Sequence, residues 1–343
     1  MKQFVVYALS LLIIIAPFAI ISGCKKNASS SSDLIGNWVK VSPFGGYARS
    51  EAISFTIGDV AYVGLGNSAN SRLNTCYKYD LTNDFWTVID TFPGAARTSA
   101  VGFGVNGKGY VCTGIDVNDS YLQEMYGYDP ASNKWHRMAG ADFPGTPRYD
   151  CFSFVIGNIA YVGGGYDGNY LNDFYAFNPT DSSWSQKNSL RGDKRSAAQT
   201  FVLNNIGYVC SGNNNGSALN DLVAYDPGTN AWTVKRKLTN VSDSSFDDKY
   251  TSIVRYNGVC FVMNNKAYLT TGENGGLNSH TWEYDATADQ WTEKTAFSGT
   301  PRTGAVAFAV KNRGFVLTGR SGTAPFDNMY EFQPDVPNNT NDD

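Results

Sequence analysis

Between Leu34 and Pro334 the chain writes one alternation of large and small residues six times. In the cleanest copy, residues 148 to 184, Phe152, Phe154 and Ile156 alternate with Cys151, Ser153 and Val155, the period of two that defines a strand. Two other copies sharpen the contrast. Val101, Phe103 and Val105 stand against Ala100, Gly102 and Gly104, and Val306, Phe308 and Val310 stand against Ala305, Ala307 and Ala309. A bulky face opposite a small one predicts that both faces are buried. The arrangement suits radial stacking, in which the large side chains of one unit fill the space left by the small ones of the next.

The spacing around this strand is constant. Arg49, Arg97, Arg148, Arg195, Arg255 and Arg302 are each followed after six residues by Phe, from Phe55 to Phe308. Thirteen residues after each Arg comes an aromatic, from Tyr62 to Phe315, and seventeen after it a Gly, from Gly66 to Gly319. Further on, Tyr79, Tyr128, Phe177, Tyr225 and Tyr284 are each followed seven residues later by Trp. Asn-Gly and Gly-Asn turns such as Asn106-Gly107 and Gly157-Asn158 make the first two strands a hairpin, and Asp129-Pro130, Asn178-Pro179 and Asp226-Pro227 turn the third strand into a Trp strand. Each unit therefore reads as four short strands.

Units of about 50 residues with this order of Gly, aromatic and Trp resemble the Kelch motif. The resemblance implies an all-β, six-bladed β-propeller over residues 34 to 335. Its Gly-Gly pair is intact at Gly163-Gly164-Gly165 but is Cys-Thr-Gly in the second copy and Cys-Ser-Gly in the fourth. The sixth copy lacks its Trp strand after Pro334, while Leu34 to Val41 is a Trp strand without a preceding unit. Trp38 lies 11 residues before Arg49, the separation of Trp86 from Arg97 and Trp184 from Arg195. Residues 34 to 41 are thus expected to close the ring as the outer strand of the last blade, and residues 336 to 343 to form a polar tail.

A net charge of -4 without basic clusters excludes nucleic acid as a partner. Ahead of the repeats, Lys2 precedes an apolar run from Phe4 to Ile21 that ends at Ser22-Gly23-Cys24. Ile21 to Cys24 resembles the bacterial lipobox, which implies a signal peptide over residues 1 to 23 and lipidation of Cys24. The alternative is a retained membrane helix. Residues 24 to 33 read as the lipidated Cys and a flexible tether. The expected address is the bacterial cell envelope, with the membrane reached through the Cys24 anchor. Lys25 favours the outer membrane.

Antiparallel geometry puts the six Arg, the loops after each recurring Gly and the long linkers on one face. Six guanidinium groups at a channel mouth would attract anions. Their recurrence in every blade argues instead for bracing neighbouring blades. Specificity should then sit where the copies differ: Glu51 and Asp150, two positions after their Arg, with Tyr166, Asp167, Asn213, Asn214, Glu273 and Arg320, and the long linker from Lys235 to Tyr250. The candidate ligand-binding set comprises Arg49, Arg97, Arg148, Arg195, Arg255 and Arg302 together with Glu51, Asp150, Tyr166, Asp167, Glu273 and Arg320. Within the third copy, Tyr149, Asp150 and the loop from Tyr166 to Asn169 are its most individual residues.

Catalytic constellations are thin. His136 and His280 lie in different units, so the copper site of galactose oxidase, an enzyme on a Kelch propeller, does not carry over. Cys76, Cys112, Cys151, Cys210 and Cys260 lack metal-ligand spacing and read as buried free thiols. No cofactor is called for. Two functions stand: a noncatalytic propeller that binds an envelope protein or a glycan, and an enzyme similar to the six-bladed bacterial Kelch epimerase of sialic acid anomers. In the second, an Arg such as Arg49 would hold a carboxylate and Glu51 would move a proton.

Overall fold

Six antiparallel sheets of four principal strands are arranged around a central channel. The computed structural model describes Met1, residues 34–239, Tyr250 and residues 252–342. The expected signal peptide, Cys24 with the expected tether, and most of the long linker lie outside the described residues. Among the described residues no helix is long and apolar enough to cross a membrane.

Each blade begins with an inner strand, as in Phe152–Ile156, followed by Ile159–Gly163, Phe174–Asn178 and the outer strand Ser183–Gln186. The sixth blade is built from Thr303–Val310, Arg313–Ser321 and Met329–Pro337, and its outer strand is Ile35–Val41. Trp38 pairs with Phe332 in that closure. Its ring is fully buried and lies 5.0 Å from Phe297 and 4.6 Å from Phe332. The two ends of the chain therefore complete one sheet, and no blade edge is left at the seam. The polar tail is tied to this edge as well. Asn339 donates its backbone N–H to Asn37, and Lys40 donates its own to the Asp342 carbonyl.

The large and small faces meet between blades. Phe55 packs where a Cβ on Gly109 of the second blade would come within 2.3 Å, and Phe154 and Phe261 meet Gly207 and Gly314 in the same way. In the other three blades Ala takes this position: Phe103 clusters with Ala160, Phe201 with Ala267 and Phe308 with Ala61. The apolar core is thus six inter-blade layers rather than one centre, and each layer depends on a residue of one or no carbons opposite a Phe.

Two closed rings of backbone hydrogen bonds hold the inner ends of the blades. In the first, each recurring Gly donates its N–H to the carbonyl of the next blade's Arg. The pairs run Gly66 to Arg97, Gly114 to Arg148, Gly165 to Arg195, Gly212 to Arg255, Gly272 to Arg302 and Gly319 to Arg49, at 2.8 to 3.1 Å. In the second, the residue two positions after each Arg donates to its counterpart in the preceding blade. Glu51 donates to Gly304, Ser99 to Glu51, Asp150 to Ser99, Ala197 to Asp150, Asn257 to Ala197 and Gly304 to Asn257, at 2.7 to 3.1 Å. All six residues of the second ring have a left-handed backbone, with φ between 52° and 62°. This conformation turns the chain so that its N–H and C=O lie along the circumference, and it leaves the side chains to line the channel end.

Candidate functional site

All six repeat arginines are at most 1% exposed, so the anion-binding reading of Arg49, Arg97, Arg148, Arg195, Arg255 and Arg302 does not hold. Their donors are consumed by the protein. Each Nε bonds the carbonyl two residues before it, from Tyr47 for Arg49 to Thr300 for Arg302. Each Nη1 bonds the carbonyl sixteen residues after it, the residue that precedes the recurring Gly. The guanidinium therefore braces its own blade, and the bonds that join two blades come from its backbone: the carbonyl in all six, and the N–H as well in Arg49, Arg148, Arg195 and Arg255. The linker aromatic five residues earlier lies against it in four blades: Phe44, Phe92, Phe143 and Phe297 are 4.8 to 5.2 Å from the guanidinium carbon.

The braces differ in how the charge is met. Arg97, Arg148 and Arg195 reach the carboxylates of Glu124, Asp173 and Asp221. Arg49, Arg255 and Arg302 are met by neutral oxygens, and burial pushes each of them down to about 10. They still carry their charge at neutral pH.

With the arginines withdrawn, the channel mouth belongs to the second ring. Glu51, Ser99, Asp150 and Asn257 line a chamber of about 130 Å³, below which the inner strands enclose a further 200 Å³. Glu51 accepts from Arg320 at 3.2 Å and from the Thr98 hydroxyl at 3.0 Å, so these three residues form one network across blades six, one and two. Asp150 faces the chamber differently. Burial, reinforced by the charge of Glu51 and opposed by a hydrogen bond from Ser99, raises its carboxyl to about 7.

Outside the ring stands an arc of half-buried tyrosines. Tyr121 and Tyr149 have ring centroids 5.2 Å apart, Tyr149 and Tyr166 are 5.7 Å apart, and Tyr166 and Tyr170 are 5.1 Å apart. Burial pushes the Tyr149 hydroxyl up to about 12, with Asp150 adding to the effect. Tyr166 and Tyr170 form one wall of an open cleft of about 550 Å³ between the third and fourth blades, whose other side carries Asp193, Lys194 and Asn214. The Tyr170 hydroxyl accepts from Asn213 at 3.3 Å.

The sequence candidates sort accordingly. Glu51, Asp150, Tyr166 and Arg320 converge on the mouth. Asp167 takes a bond of 2.7 Å from Thr146 and shapes the loop, and Glu273 accepts from Thr303 at 2.9 Å on the opposite side of the ring. Tyr121 and Tyr170 hold one repeat position, seven residues ahead of Tyr128 and Phe177, but are not among the sequence candidates, and the fold brings them to the mouth. His280 is paired with Glu293 at 2.7 Å, and His136 lies in an outer strand. The five cysteines of the propeller are free and sit in or near the core, where burial pushes Cys76, Cys151 and Cys210 up to about 12.

A closed ring of six four-stranded blades with one variable, tyrosine-lined face defines a β-propeller whose candidate site lies at its channel mouth. The model of the KLHDC2/KLHL20/DRC7 Kelch-repeats domain matches residues 57–246, more than half of the chain, and the chain belongs to this Kelch-repeat family. Among solved structures, one titled "Structure of YjhT" superposes with a TM-score of 0.69 at 17% identity, covering 84% of this chain and 95% of that one. The likeness is one of fold. No curated protein matches the sequence.

Proposed function

We propose that this chain is a noncatalytic glycan-binding propeller displayed on the bacterial cell envelope. The observation that carries the reading is the tyrosine arc from Tyr121 to Tyr170, which borders an open polar cleft. A sugar ring has an apolar C–H face and a hydroxylated edge. Tyrosine offers a matching apolar body and polar tip, and it loses little side-chain freedom because it has few rotatable bonds. Asn169, Asn214 and Lys194 along the cleft supply donors for the hydroxyl edge. Display would come through lipidation of Cys24, which labelling with a fatty acid analogue checks by its loss in Cys24→Ala.

A glycan array probed with the chain tests the binding. Hits that Tyr149→Ala and Tyr166→Ala abolish support the reading, and an array without hits contradicts it. One feature favours a second reading, an anomer-converting enzyme. A carboxyl that titrates near 7 at the closed end of a mouth is suited to moving protons at neutral pH. In that case Asp150 carries the proton in place of the expected Arg49 and Glu51, because Arg49 is buried and Glu51 is held by Arg320 and Thr98. Acceleration of sialic acid anomerisation, followed by NMR and lost in Asp150→Asn, would decide for the enzyme.

A further inference from the structure

Glycan binding by the tyrosines leaves the chamber beneath them unused. Two carboxyls, Glu51 and Asp150, face it, with the Ser99 hydroxyl and the Asn257 amide as the other polar side chains of its lining. Every backbone N–H of the second ring already points along the circumference at the ring carbonyl of the preceding blade. Asp150 is met by the Ser99 side chain, and among the described residues no Lys or Arg forms an ion pair with it. Glu51 is offset by Arg320, which leaves the charge of Asp150 uncompensated. Deeper in the channel, Gln199 is only 2% exposed. Its Nε2 donates to the ring carbonyl of Ala197 at 3.0 Å, while its Oε1 has no partner among the described residues. A buried acceptor left unmatched is unfavourable, because it has given up water without gaining a donor. The channel thus holds an acceptor without a donor and a carboxylate without a cation, one above the other.

We infer that the chamber receives a primary ammonium group of the ligand, so that the glycan bound across the tyrosines carries a free amino sugar over the channel. The inference rests on the glycan reading for the rest of the ligand. An ammonium group brings three donors and no acceptor, which complements this lining. A hydroxyl would leave Asp150 uncompensated, and the carbonyl of an N-acetyl group would be placed against a carboxylate. The volume of about 130 Å³ suffices for the ammonium, its carbon and an accompanying water. The charged groups around Asp150 are Glu51 across the ring and the ionisable Tyr149 and Cys151 beside it. A cation arriving among them favours the ionised carboxylate, so its titration midpoint falls from about 7.

The test is calorimetry on the full chain at pH 7 with a β-1,4-linked glucosamine tetrasaccharide and with its fully N-acetylated counterpart. The wild type is expected to prefer the amine by about tenfold or more, and Asp150→Asn to reduce that preference below about twofold while keeping the acetylated sugar. Asn accepts the left-handed backbone at this position, so the variant should fold. Equal affinity of the wild type for both sugars overturns the inference and leaves the glycan reading intact. If neither sugar binds, titration with ethylamine decides, with the Asp150 carboxyl carbon followed by ¹³C NMR. A midpoint lowered by about one unit or more sustains the ammonium chamber without the glycan, and an unmoved midpoint overturns it.

Discussion

Replacing Arg148 by Met separates a brace from a ligand contact. Met fills much of the arginine's volume and removes every donor. The structure then loses bonds to the Thr146 carbonyl at 2.8 Å and its hydroxyl at 2.9 Å, to the Gly164 carbonyl at 3.1 Å, and to both oxygens of Asp173. Breaking a buried pair by removing one partner costs about 3–5 kcal/mol. Asp173 keeps 24% of its side chain in water and can recover some solvation, which places the cost near the lower end, about 3 kcal/mol. With an unfolding entropy of about 2.1 cal/mol/K per residue over roughly 300 ordered residues, that is a fall of about 5 °C in Tm. Scanning calorimetry reads it directly. The double variant Arg148→Met with Asp173→Leu, which removes the stranded carboxylate, should recover part of the loss. A fall of less than about 1 °C, together with abolished glycan binding, would refute the brace and return Arg148 to the ligand site.

The remaining predictions concern closure, ring geometry and pH. Trp38→Ala empties a fully buried site between Phe297 and Phe332; about 3–5 kcal/mol is expected, or roughly 5–8 °C by calorimetry, with deletion of residues 34 to 41 costing more. Gly272→Ala places a Cβ 2.7 Å from three backbone atoms of Tyr256 and Gly258 at a φ of +86°, so more than about 2 kcal/mol should be lost in a denaturant titration, whereas Gly275→Ala, which meets nothing within 4 Å, should lose less. Asp150 binds its proton more tightly folded than unfolded, because its folded midpoint is about 7 against an ordinary 3.8. Its contribution to stability is therefore fully present below about pH 4 and is lost as the pH rises to 7, at no more than about 1.4 kcal/mol per unit. Denaturant midpoints of Asp150→Asn should lack that part of the pH slope, and an unchanged slope counts against the raised carboxyl.

Blade register and closure were legible because they depend on periodic contacts. The Phe that meets Ala or Gly across each inter-blade layer recurs at one spacing, and so does the Gly whose N–H closes the first ring. The separation of Trp38 from Arg49 carried the closure for the same reason. The direction of the arginine side chains was not legible. A strand start places Arg148 on the mouth face, but the carbonyl of Gly164 and the ring of Phe143 draw its guanidinium inward. The Phe five residues ahead of four of these arginines was a visible sign of that burial. Tyr149, Asp150 and Tyr166 stood out by breaking the repeat. Tyr121 and Tyr170 did not, because their shared position, seven residues ahead of Tyr128 and Phe177, is held by Arg72, Ala218 and Leu277 in other blades and reads as an ordinary variable loop residue. The second ring left no strong trace either: Glu51, Ser99, Asp150, Ala197, Asn257 and Gly304 have little in common except a left-handed backbone.

The proposed division of this face into a scaffold of arginines and a ligand site of tyrosines is tested most directly by one paired measurement. Affinity for a glycan identified on the array is compared in the wild type, Arg148→Met, and Tyr149→Ala with Tyr166→Ala. The account predicts a loss of about tenfold or more in the tyrosine variant with Tm held within about 2 °C, and retained affinity with a lowered Tm in Arg148→Met. The reverse pattern, with affinity lost only when Arg148 is replaced, would contradict it.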